Sequence, residues 1–97
     1  IGTDKFHTPL GLVKKSEDYF NSLGYTVGID WPYIGSIVPM EYYQKDKRVN
    51  SIMLEINRAL YLEGDTNDKS SDYNNTKEVV QGFLTFLRNN SQTNNYD

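Results

Sequence analysis

The sequence predicts an α/β fold, ordered helix, strand, long loop, strand, helix. Three observations predict it. Apolar residues recur at helical spacing near both ends of the chain. The stretch Tyr25–Asp30 alternates apolar and polar, as a half-buried strand does. Ser51–Ile56 is apolar on both faces apart from Glu55, the pattern of a central strand.

The first helix is expected to open at Thr8-Pro9, with Thr8 as its cap and Pro9 in the first helical position. Leu12, Val13, Ser16, Tyr19, Phe20 and Leu23 then share one face, and Lys14, Lys15, Glu17 and Asp18 the other. Gly24 supplies the stop, in a left-handed conformation. In the strand that follows, Tyr25, Val27 and Ile29 face one side, and Gly28 marks a point of close approach.

From Trp31 to about Val49 the pattern is irregular, broken by Pro32, Gly35 and Pro39, with a short helical turn expected at Met40–Tyr43. Loops this long are often functional. After the second strand, residues 57–62 read as its exit, and 64–74 as a polar surface loop. Asn75 and Glu78 have capping-box spacing before a helix with an apolar stripe of Val79, Val80, Phe83, Leu84 and Leu87, with Phe86 at its border. The Asn-rich residues 89–97 read as a flexible tail.

With 97 residues the chain is one small domain or a fragment of a larger one, and no internal boundary is visible in it. Two strands alone leave two exposed edges. Either more strands precede Ile1, or a second copy pairs with the edge. The start at Ile1-Gly2, without a methionine, is expected in a trimmed or partial chain. A net charge of −3 and the lack of a basic stripe argue against a nucleic-acid partner. No apolar run approaches the length of a membrane span. The absence of cysteine excludes thiolate chemistry and fits a cytoplasmic setting.

Glu55 is the leading catalytic candidate. A carboxylate on a central strand is costly to bury unless it is paired or works as a base; its bland role is an ion pair with Arg58 or a lysine. Arg58 suits a substrate carboxylate through its forked donors, or an ion pair with Glu55 or Glu63. Asn57 orients a neighbouring carboxylate or caps the strand exit. Tyr33 and Gly35, in Pro32-Tyr33-Ile34-Gly35, suit a loop that brings backbone donors to a ligand. His7 is the lone histidine and has no partner motif, so no metal ligands are assigned. Asp4 and Lys5 read as surface groups.

The stretch Met53-Leu54-Glu55-Ile56-Asn57-Arg58-Ala59-Leu60-Tyr61 resembles the "Q-x-E-I-N-R-x-L-Y" segment of the N-formylglutamate amidohydrolase family. Gly2-Thr3-Asp4-Lys5-Phe6, Gly24-Tyr25-Thr26-Val27 and Pro32-Tyr33-Ile34-Gly35-Ser36 resemble further family segments in the right order. The resemblance spans Gly2 to about Leu62. It implies the C-terminal portion of a zinc-dependent amidohydrolase with a phosphorylase/hydrolase-like, zinc carboxypeptidase-like α/β fold. It also implies a small-molecule N-formyl or N-acyl amino acid as substrate and Glu55 as general base or acid. Arg58, Asn57, Tyr33 and Gly35 would lie near the substrate. The family's metal ligands lie upstream of these segments, so zinc belongs to the full-length family, and no zinc and no turnover are expected of the 97 residues alone. Ser36 stands where a second glycine is usual, and Lys5 where the family has arginine, which is not equivalent for bidentate carboxylate binding. The competing reading is a non-catalytic α/β module that self-associates through a sheet edge.

Overall fold

The computed structural model describes residues 1–92. They contain two α-helices, α1 (Leu10–Ser22) and α2 (Tyr73–Gln92), and a 3₁₀ turn at Arg58–Leu60. No strand forms among the described residues, which overturns the expected α/β order. It also removes the sheet edge through which a second copy was to pair. Extended chain is present, but it pairs one residue at a time: Gly2 bridges Met53, and Leu62 bridges Lys69, both antiparallel. A strand exists only where a neighbour repeats the pairing along its length, and alternation in sequence cannot supply that neighbour.

The described residues divide into two compact units, Ile1–Glu55 and residues 56–92. In the first unit a short strip, Ile1–Thr3, is fastened on two sides. Gly2 exchanges both backbone bonds with Met53 (2.8 and 2.9 Å), and the Ile1 carbonyl accepts the Asp30 amide at 2.7 Å. Asp30 has φ +57, which turns the chain out of the extended run predicted for 25–30. Its carboxylate takes the Thr3 amide and hydroxyl, both at 2.7 Å, where a strand would offer a carbonyl.

Helix α1 buries Leu12, Ser16 and Phe20, one face at i, i+4, i+8. Leu23, assigned to that face, is exposed. The predicted cap also differs. Pro9 is the N-cap, with no side-chain bond, because the Thr8 hydroxyl is committed elsewhere: it donates to the Ser51 carbonyl at 2.6 Å and accepts the Asp4 amide at 2.8 Å. The stop is as expected. Gly24 has φ +91; its amide bonds to the Asn21 carbonyl and that of Tyr25 to the Phe20 carbonyl, which makes a Schellman motif. The long loop holds one helical turn, with the Tyr42 and Tyr43 amides on the Pro39 carbonyl.

In the second unit residues 61–70 fold back on themselves through Glu63 N to Asp68 O and Ser70 N to Tyr61 O. Helix α2 then starts at Tyr73, so Asn75 and Glu78 lie inside it and form no capping box. Thr76, buried, ties the helix to the 3₁₀ turn by donating to the Leu60 carbonyl at 2.7 Å. Phe83 is buried and stacks near Phe86, with ring centroids 6.2 Å apart, while Leu84 faces solvent. The helix continues to Gln92, across the start of the segment read as a tail; residues 93–97 lie outside the described residues.

Candidate functional site

The first eight residues owe their shape to side chains that replace missing backbone partners. The Asp4 carboxylate accepts the amides of Phe6 and His7 at 2.8 and 3.0 Å, a turn that aspartate at this spacing commonly makes. That turn drives His7 fully inside. Its Nδ1 lies 2.7 Å from the Val49 carbonyl, and its Nε2 accepts the Gln44 amide at 2.9 Å. A carbonyl needs a donor and an amide needs an acceptor, so the ring is neutral with its proton on Nδ1. His7 thereby pins the segment 44–49 against the N-terminal strip.

A groove of about 880 Å³ opens beside this arrangement. Lys5, Lys47 and Arg48 bring positive charge to its lining, and Phe6, Leu10, Val13 and Ile29 supply apolar wall. Asp4 and Asp30 also line it and bring negative charge; Asp30 accepts through both carboxylate oxygens, Asp4 through Oδ1. Lys47 lies 5.4 Å from the centre of the Phe6 ring. Arg48 is held by Asp46 through two side-chain bonds of 3.0 and 2.8 Å. The guanidinium holds the Asp46 carboxyl down to about 2, chiefly through these bonds.

None of the five residues singled out from the sequence lines this groove. Glu55 is exposed, not partly buried, and makes no hydrogen bond or ion pair with the described residues. Tyr33 is exposed. Gly35 has φ +106 and spends its amide on the Thr3 carbonyl at 3.1 Å. These three belong to the first unit; Asn57 and Arg58 belong to the second. Asn57 caps the 3₁₀ turn by accepting the Ala59 amide at 2.9 Å. Arg58 forms neither ion pair weighed for it and donates instead to the carbonyls of Gly64 and Thr66.

Sequence reasoning missed His7 as a buried anchor and Lys47 as part of a groove. The Asp4-to-His7 spacing was a usable signal for the first. Nothing local announced the second.

The zinc ion implied by the resemblance does not fit these residues. No group of three His, Asp or Glu among the described residues could hold a metal, and both ring nitrogens of His7 are engaged by backbone. Nor is any helix among the described residues long and apolar enough to cross a membrane.

No curated protein and no solved structure matches the chain. The family model of N-formylglutamate amidohydrolase matches residues 1–62, which covers all five predicted site residues and every groove residue. The chain belongs to the N-formylglutamate amidohydrolase family.

Proposed function

We propose that these residues form part of an enzyme that hydrolyses the amide of an N-formyl or N-acyl amino acid, with Glu55 as its proton-transferring carboxylate. The family match over residues 1–62 carries this reading. In it, Glu55 takes a proton from the attacking water and returns it to the leaving amine nitrogen, the two halves of general acid–base catalysis. Its carboxylate has no hydrogen bond or ion pair with the described residues and is open to water. A structural ion-pair member would be paired. Tyr33 and Gly35 on their loop, and Asn57 and Arg58 after Glu55, are the proposed substrate contacts. Arg58 already donates to the Gly64 and Thr66 carbonyls, so its proposed contact with a substrate carboxylate uses the guanidinium's remaining donors. No donor set for a metal is found among the described residues, and the 97 residues are proposed to be inactive in isolation.

The test is Glu55→Gln in the active protein that contains these residues, followed by formate release from N-formylglutamate. The rate should fall by about 10²–10⁴-fold, the usual worth of a general base, while the melting temperature stays put. A variant that keeps its rate, or loses rate and fold together, removes Glu55 from the mechanism.

A further inference from the structure

We propose that Ser51 is a positioning residue: its hydroxyl, clasped to Ser36 and Ile37, holds the Tyr33–Gly35 loop beside the stretch that carries Glu55, and so governs substrate binding. The inference rests on the proposed role of Tyr33 and Gly35 as substrate contacts. Ser51 joins separate stretches of the first unit. Its amide donates to the His7 carbonyl at 2.9 Å, and its carbonyl accepts the Thr8 hydroxyl at 2.6 Å. Both bonds use backbone atoms of Ser51, so any residue with a backbone N–H could make them. The remaining connection needs the side chain. The Ser51 hydroxyl donates to the Ile37 carbonyl at 2.7 Å and pairs with the Ser36 hydroxyl. A hydroxyl has one proton, so Ser51 accepts from Ser36 while it donates to Ile37.

Packing does little to hold this loop. Tyr33 and Ile34 are exposed, as are Ile37 and Met40 beyond them. Its place is set by the backbone of Gly35 and by the clasp next to it. The Gly35 amide donates to the Thr3 carbonyl at 3.1 Å. A Cβ at Gly2 would collide with the Gly35 carbonyl and the Met53 side chain, so the loop comes this close because residue 2 has none. Gly2 is itself bridged to Met53. The loop is thus tied at residues 51 and 53, shortly before Glu55 in the same stretch. A binding loop held in one place costs less ordering when a ligand arrives. Ser51 touches no reacting atom in this reading and acts through the loop alone.

The experiment follows N-formylglutamate hydrolysis by the active protein that contains these residues, with Ser51→Ala, Ser36→Ala and the two combined. Ser51→Ala keeps the backbone bonds and removes only the clasp. It should raise KM about fivefold, the worth of one neutral hydrogen bond. Because the lost contact is equal in ground and transition states, kcat should stay within about twofold. A purely structural residue would instead lower the folded fraction, and with it the rate, at unchanged KM. The two hydroxyls share one interaction, so the double variant should match Ser51→Ala and not multiply the two effects. In the 97-residue chain, Ser51→Ala should speed hydrogen exchange at the Gly35 amide about fivefold while the amides of α1 keep their rates. An unmoved KM, multiplied effects in the double variant, or faster exchange throughout the first unit overturns the proposal. Glu55→Gln keeps the two readings apart. If it keeps its rate while Ser51→Ala raises KM, only the hydrolytic role of Glu55 falls. If it loses its rate while Ser51→Ala leaves KM unmoved, only the positioning role falls.

Discussion

His7 shows how much one side chain can be asked to do. Its ring accepts from one backbone amide and donates to one carbonyl, over a sequence separation of about forty residues. His7→Leu roughly keeps the side-chain volume but leaves the Gln44 amide and the Val49 carbonyl without their partner. Both groups lie near enough to solvent to rehydrate in part, so the expected cost is about 1–3 kcal/mol, the range for polar groups left unmade. Urea unfolding measures it; a loss below about 0.5 kcal/mol would mean that the two bonds contribute little. The same engagement leaves neither ring nitrogen of His7 open to a further partner. A nitrogen that accepts an amide proton has no lone pair left for a metal.

At the scale of elements, α1 shows the clearest link from sequence to structure. Its buried face and its glycine stop follow from bonds between residues three to five apart, which the sequence displays directly. Gly24→Ala tests the stop. A Cβ at φ +91 meets no neighbouring atom, so the penalty is the backbone's own preference, about 1 kcal/mol. Thermal unfolding should show a drop of a few degrees, and an unchanged midpoint would argue that α1 ends by other means. The strands were not legible in the same way. Tyr25–Asp30 and Ser51–Ile56 have the right alternation, but a strand is completed by residues far away, and here those partners offer single bridges and carboxylates. The capping box at Asn75 failed for a related reason. Thr76 is drawn inward to the Leu60 carbonyl, and the helix begins earlier, at Tyr73, to allow it. The candidate site divides along the same line. Glu55 could be picked out because its neighbours in sequence carry the family pattern. The groove could not, because Lys5, Ile29 and Lys47 meet only through long-range bonds.

For the molecule as a whole, the family pattern and the compact units do not coincide. The match to residue 62 runs past the end of the first unit, while α2 lies beyond it. Buried apolar side chains are few among the described residues, with Leu12 and Phe20 in the first unit and Phe83 in the second, which suits a chain of small stability margin. The doubly fastened strip Ile1–Thr3 sets the order in which such a chain can organise itself. Its partners stand at Asp30 and Met53, so closing it gathers up half the chain and costs loop entropy before any bond is returned. Helix α1, made of neighbours alone, carries no such delay. In pulse-labelled refolding, the α1 amides should therefore gain protection from exchange first, and those of Gly2 and Met53 together and last. Early protection at Gly2 would mean that the strip guides assembly and does not merely seal it.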